Sequence, residues 1–307
     1  MRKRIIIGSR GSRLALIQAE SVLVQLKQAA SHLEFSVTRI VTQGDRDKSI
    51  PQETMPGQRM FVKELEEALL DNRIDIVVHS LKDMTTKLPQ GLSLAAVTAR
   101  LDPRDVLVSR GGKLAELAPG STIGTGGLRR AAQLLAYRPD LKVIGVRGNV
   151  DTRLEKVNCG ELDGIIIAAA GVIRLGQESR ITEYLPLESF LPAVGQGALG
   201  IEVRAEDKEM TELVHPVNHE PTWQSVVAER AFLNALGVGC RAPVAALGTM
   251  NGDTLTLQGM VATTDGSKIL RATEEGDSLA PQQIGKRLAQ RMVNTGALQL
   301  ITEVGGR

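Results

Sequence analysis

The chain has 307 residues, with 37 Lys and Arg against 35 Asp and Glu for a formal net charge of +2, and aromatic side chains make up only 2% of it. That length supports more than one hydrophobic core, so two or three domains are expected, built on Leu, Ile, Val and Ala. Scarce aromatics and balanced charge argue against nucleic-acid binding, and any cationic site must come from local placement of arginines.

The N-terminus, Met1-Arg2-Lys3-Arg4 before three isoleucines, reads as neither a secretory signal nor a membrane span, so a cytosolic protein is expected. A strand over 4–8, a helix over 12–30 and a strand over 34–41 open a βαβ pattern. The polar segment 42–59, holding Gly44, Pro51, Pro56 and Gly57, has the length of a lid or a disordered loop. A helix over 60–72 follows, with Phe61, Leu65, Ala68 and Leu69 on one face. Residues 74–84 are the most informative stretch, because a β-branched run ends in His79, Ser80, Lys82 and Asp83. Ligands of open parallel sheets sit beyond the carboxyl ends of strands, where these four fall. Lys82 and Asp83 alone read equally well as a solvated turn pair.

After a strand over 92–98, the charged stretch 100–105 reads as a crossover into a second α/β unit. Its strands are predicted at 106–109, 121–124, 141–146 and 163–168, with helices at 128–138 and 150–159. Residues 191–197 turn the chain back into a strand over 198–203, which is expected to rejoin the first sheet. A helix over 220–236, strands over 244–250, 254–263 and 268–273 with a hairpin turn at Asp265-Gly266, and a closing helix bearing Ile284, Leu288 and Met292 make a small α+β domain. The expected fold class is therefore α/β, with two α/β domains and a smaller C-terminal α+β domain. Domain 1 takes residues 1–99 and 197–216, domain 2 residues 100–196, and domain 3 residues 217–307. No sequence repeat is evident.

Three βα junctions share one design, a glycine or small polar residue opening a helix beside arginine. They are Gly8-Ser9-Arg10-Gly11-Ser12-Arg13, Gly124-Thr125-Gly126-Gly127-Leu128-Arg129-Arg130 and Arg147-Gly148-Asn149-Val150-Asp151-Thr152-Arg153. Helix starts and guanidinium groups both hold anions. One such junction is an ordinary capped helix, whereas three suggest a ligand with several carboxylates or phosphates. Carboxylates are favoured, since no Walker sequence is present and no dinucleotide fingerprint follows a strand. Cys240, in a glycine-bearing loop next to Arg241, has the surroundings of a reactive thiol, although a structural cysteine fits the same loop. Cys159 reads as inert. His215 and His219 lack a carboxylate to complete a metal motif, so no metal is expected.

Together these pieces resemble the porphobilinogen deaminase (hydroxymethylbilane synthase) family. The carriers are Gly8-Ser9-Arg10 with Ser12 and Gln18, Phe61 to Leu65, Val78 to Met84, Asp102-Pro103-Arg104-Asp105, Leu128-Arg129-Arg130, Val146 to Val150 with Thr152-Arg153-Leu154, Leu191 to Gly197, Glu229 to Leu233, and Cys240. The resemblance implies two periplasmic-binding-protein-like domains and a third domain carrying the cysteine. It implies a dipyrromethane cofactor joined to Cys240 by a thioether, onto which four porphobilinogen units are added with loss of ammonia before hydrolysis releases hydroxymethylbilane. Asp83 is implied as the catalytic group that stabilises cationic pyrrole and accepts its proton. Lys82, Thr125, Gly127, Arg129, Arg130, Arg147 and Gly148 are implied in cofactor binding, and Arg10, Ser12, Gln18, Arg147, Arg153, Arg174 and Gln196 in substrate binding. A monomer with no obligatory protein partner is implied as well.

The chain departs from the family pattern at Gly126-Gly127, where serines are common, and at Pro56-Gly57-Gln58-Arg59, Val238, Arg241 and Leu81. At Gly126-Gly127, hydroxyl contacts are replaced by backbone donors, and cofactor binding with altered affinity is expected. The rival readings are a non-enzymatic anion-binding protein, which needs the arginines but not Asp83 or Cys240, and an RNA-binding protein, which the composition disfavours.

Overall fold

The computed structural model describes residues 2–42, 62–238 and 242–302. The lid expectation for 42–59, together with Phe61, Cys240 and Arg241, lies outside the described residues except for Thr42. The chain forms two compact units, Met1–Leu101 with Ala198–Trp223, and Asp102–Gly197 with Gln224–Arg307.

In the first unit, β1 (Arg4–Arg10), α1 (Arg13–Ala29) and β2 (Glu34–Ile40) form the predicted βαβ start. Ser12 caps α1, its hydroxyl accepting from Ala15 N at 3.3 Å, which satisfies one of the helix's orphan donors. Helix α2 (Lys63–Leu70) buries Leu65, Ala68 and Leu69, and leads to β3 (Ile76–Ser80) and β4 (Leu92–Val97). The sheet is completed from far along the chain. β10 (Leu199–Arg204) runs antiparallel between β3 and β4, giving the order β2-β1-β3-β10-β4. Ile5, Ile7, Ile76, Val78, Ile201 and Val203 meet α1's Ala19, Val22 and Leu26 in the core. The short helix α6 (Lys208–Val214) follows, capped by Asp207.

The second unit repeats this plan. Strands β5 (Asp105–Ser109), β6 (Thr122–Thr125), β7 (Lys142–Gly145), β8 (Gly164–Ala168) and β9 (Glu183–Tyr184) take the order β7-β6-β8-β5-β9, with β5 antiparallel to both neighbours. Helices α3 (Leu128–Tyr137), α4 (Val150–Asn158) and α5 (Ala169–Arg174) follow β6, β7 and β8. Topology and register therefore equate β1 with β6, β3 with β8, and β10 with β5. Gly8 pairs with Val77 as Gly124 pairs with Ile165, so Gly8-Ser9-Arg10-Gly11 aligns with Gly124-Thr125-Gly126-Gly127. Likewise Leu199 faces Ser80, the last residue of β3, as Asp105 faces Ala168, the last residue of β8. A repeat invisible as sequence is present as register.

The remainder of the second unit is the third sheet, the antiparallel meander β11 (Val244–Asn251), β12 (Thr254–Ala262) and β13 (Ile269–Asp277). Helix α7 (Glu220–Ala235) precedes it, while α8 (Pro281–Asn294) and α9 (Ala297–Thr302) close the chain. Phe232, Leu257, Ile284, Leu288 and Met292 form its core. A second apolar contact, of Ala132 and Leu191 with Ala245, Leu247 and Met260, joins this sheet to the α/β part of the same unit. The fully buried Glu229 adds a polar tie, accepting from Gly195 N at 2.7 Å and from Gly248 N at 2.9 Å.

Candidate active site

At the end of β3 the chain makes a tight turn over Leu81–Asp83. Leu81 is buried and anchors it: Leu81 N donates to Ala198 O and Met84 N to Leu81 O, each at 3.1 Å. The anchoring leaves Asp83 exposed and Lys82 half-buried. Two neighbours behave otherwise. Gln18 and Ser80 bond each other, amide nitrogen to hydroxyl at 2.8 Å and hydroxyl to amide oxygen at 3.1 Å, with Gln18 buried. His79, expected where a ligand would sit, instead lies in the interior with its Nε2 2.9 Å from Oε2 of the fully buried Glu202. Side chains alternate across a strand, so the residue before Ser80 faces the other side of the sheet. Arg10, half-buried, ends β1.

The equivalent strand ends of the second unit carry cations. Thr125 is buried at the end of β6, its hydroxyl donating to Ile166 O at 3.4 Å. Gly127 has φ +116°, a conformation that L side chains rarely adopt, and a Cβ on Gly126 would lie 2.7 Å from Nη1 of Arg153. The two glycines thus let the chain turn into α3 beside a guanidinium. Arg129 and Arg130, the second and third residues of α3, are both buried and both bind one carboxylate, that of Asp105 at the start of β5. Arg129 Nη1 donates to Asp105 Oδ2 and to Leu191 O, each at 2.7 Å. Arg130 Nε donates to Asp105 Oδ1 at 2.9 Å and its Nη2 to Gln196 Oε1 at 3.1 Å. The fully buried Gln196 donates in turn to Asp105 Oδ1 at 2.9 Å and Pro103 O at 2.7 Å. Burial would raise the Asp105 pKa, but the two guanidinium groups outweigh it and hold the carboxyl far below the ordinary carboxylate range.

Arg147 and Gly148 follow β7, with Gly148 at φ +102° and its carbonyl accepting from Arg153 Nε at 2.8 Å. Arg174 ends α5, half-buried, with Nη2 donating to Gly197 O at 2.9 Å. Among the described residues no carboxylate pairs with it, and burial pulls its pKa down to about 10.

Asp105 and Glu229 were missed as functional candidates, although both lie in quoted motifs. Adjacent arginines at a helix start would signal a buried counter-charge such as Asp105 only if both were known to be buried, since neighbouring side chains about 100° apart can both face solvent, as Lys286 and Arg287 do. No such signal pointed to Glu229, whose partners are backbone amides.

Two α/β units, each with charged side chains beyond its strand ends, define the class, an α/β enzyme. A family model described as "Porphobilinogen deaminase, dipyromethane cofactor binding domain" matches residues 5–212, and "Porphobilinogen deaminase, C-terminal domain" matches residues 223–294. The chain is 46% identical over 305 residues to a porphobilinogen deaminase from Desulforudis audaxviator, covering 99% of each. It is also 46% identical over 302 residues to one from Thermus thermophilus, covering 98% of this chain and 99% of the relative. Among solved structures, the periplasmic VFT2 domain of Bordetella pertussis BvgS matches with a TM-score of 0.43 and 16% identity, over 70% of this chain and 86% of that one. The chain belongs to the porphobilinogen deaminase family. Among the described residues no helix is long and apolar enough to cross a membrane.

Proposed function

We propose that the chain joins four porphobilinogen units, with loss of ammonia, onto a dipyrromethane cofactor and releases hydroxymethylbilane by hydrolysis. The observation that carries this reading beyond family membership is the excess of buried cation in the second unit. Arg129 and Arg130 share one carboxylate, and Arg174 has none among the described residues. Every pyrrole ring of cofactor and substrate bears two carboxylates, so a growing chain supplies the missing negative charge.

The residues present fit the cofactor. Lys82, Arg129, Arg130 and Arg147 would pair with its carboxylates, while Thr125, Gly127 and Gly148 shape the backbone next to it. Cys240 would hold it by a thioether; that assignment rests on the loop sequence and the family. When bound, the cofactor supplies the terminal pyrrole carbon to which substrate is joined. Arg10, Ser12, Arg153 and Arg174 would take substrate carboxylates, and the buried Gln18 and Gln196 would act through Ser80 and Arg130, their hydrogen-bond partners. Asp83, exposed at the end of β3, offsets the positive charge that develops on the substrate ring as ammonia leaves, and accepts the proton lost when the new bond forms. In this reading residues 100–196 and 217–307 are separate domains, domain 1 holds Asp83, and the protein acts as a cytosolic monomer on a small-molecule substrate.

Intact-protein mass spectrometry with peptide mapping tests the proposal. A mass excess of two porphobilinogen units less two ammonias on the Cys240 peptide, either as purified or after incubation with porphobilinogen, is expected. A chain that binds porphobilinogen but never gains that mass would be an anion-binding protein only.

A further inference from the structure

Asp105 has no role in the proposed chemistry, yet it is fully buried and accepts from three side chains. Its Oδ1 accepts from Arg130 Nε and Gln196 Nε2, each at 2.9 Å, and lies 2.8 Å from Arg130 Nη2, while its Oδ2 accepts from Arg129 Nη1 at 2.7 Å. The scaffold does not demand a carboxylate here. At the equivalent register position of the first unit, opposite the last residue of the matching strand, stands Leu199, which packs in an apolar core. The acid is therefore placed for its partners, not for the sheet. Those partners keep unspent donors: among the described residues, no acceptor is hydrogen-bonded to Arg129 Nε and Nη2 or to Arg130 Nη1.

We infer that Asp105 is a positioning residue for the cofactor-binding arginines, fixing both guanidinium planes and cancelling one of their two charges, so that the pair presents one net positive charge and a fixed set of N–H donors to a bound carboxylate. The inference rests on the reading that Arg129 and Arg130 hold cofactor carboxylates. Both oxygens of Asp105 accept hydrogen bonds, Oδ1 from Arg130 and Gln196 and Oδ2 from Arg129, so an amide in its place puts an N–H against a guanidinium or against Gln196 whichever way it is turned. Two adjacent guanidinium groups without their shared anion would repel each other and lose the planar alignment that bidentate recognition needs.

The experiment follows cofactor gain by intact mass when full-length apoprotein of each variant is incubated with porphobilinogen. Asp105→Asn and Arg130→Met are each expected to slow loading roughly ten- to hundredfold, since misplacing a binding group costs about that much. In the Arg130→Met background, Asp105→Asn is expected to cost less than the ten- to hundredfold it costs alone, because only its hold on Arg129 is left to lose. If Asp105→Asn fails to fold, the double variant, relieved of the second guanidinium, still carries the comparison with Arg130→Met. Multiplied losses in the double variant, or wild-type loading by Asp105→Asn beside defective Arg129→Met and Arg130→Met, would overturn this inference alone. Wild-type loading by both arginine variants would overturn the cofactor reading and this inference together.

Discussion

The two α/β units place the same strands in the same order and fill the strand ends with opposite chemistry. In the first unit the position opposite the end of β3 is Leu199, the interior pair is His79 with Glu202, and the turn after β3 exposes Asp83. In the second, the position opposite the end of β8 is Asp105, the interior pairs are arginines on that acid, and the residues after β8, Ala169, Ala170 and Gly171, carry no charge. A sheet with an inserted antiparallel strand thus offers a fixed set of addresses, and function depends on which of them are charged. One copy exposes a carboxylate, the other buries arginines.

The sharpest way to test that division is Asp83→Asn, which keeps the shape of the turn and removes the carboxylate proposed to take up the proton. Product formation should fall by roughly 10²–10⁴, the range typical of a lost general acid or base, while cofactor mass on Cys240 stays complete. Full turnover by the variant would remove Asp83 from the mechanism. Next, Leu199→Asp writes the second unit's acid into the first unit, where no arginine pair awaits it. An uncompensated buried carboxylate there should cost about 3–5 kcal/mol in denaturant unfolding, and unchanged stability would break the equivalence of the two positions. Gly127→Ser separates backbone need from side-chain need: at φ +116° a Cβ is strained, so a loss of about 1–3 kcal/mol is expected in thermal unfolding.

Arg174→Met should move stability the other way. The folded pKa of Arg174, about 10, lies below the ordinary guanidinium value, so its charge opposes folding at all pH values below about 10, and the opposition fades as pH rises toward that ordinary value. The variant should therefore melt a few degrees higher near neutral pH, about 1 kcal/mol of stabilisation, with weakened substrate binding, and its advantage should shrink in strong base. The smallest effect is expected from Gly126→Ser. Its Cβ would meet only the flexible end of Arg153 at 2.7 Å, so stability should change by less than about 0.5 kcal/mol, with the porphobilinogen KM as the more sensitive readout.

Most of the helices and strands were legible because their apolar periodicity is strong. Helix α1 begins one residue after Ser12, as that residue type requires. What escaped has a common cause. β9 is two residues long and exists only because β5 offers it an edge, and β13 runs on to Asp277 because β12 pairs with it throughout, whereas the strand read from sequence ends at 273. Helix α5, Ala-Ala-Gly-Val-Ile-Arg, has no cap and no polar face to mark it, and α6 and α9 are similarly short. Within the site, Lys82, Asp83 and the arginines were legible as charged residues at predicted strand ends. The role of Asp105 was not, since its partners lie 24, 25 and 91 positions away. His79 was misplaced for a simpler reason: strand alternation turns it inward.

The insertion of β10 between β3 and β4 has a consequence for biogenesis. The N-terminal sheet takes its second-to-last member from residues 199–204, after the whole α/β part of the second unit has been made. A nascent chain that has emerged only as far as Gly197 holds β3 and β4 with open edges, the kind of unpaired strand that invites wrong partners. The second unit, whose antiparallel insert β5 comes first in its own segment, has no such wait. On the ribosome the later sheet is therefore free to close before the earlier one, and the end of the chain that is synthesised first is among the last to be sealed.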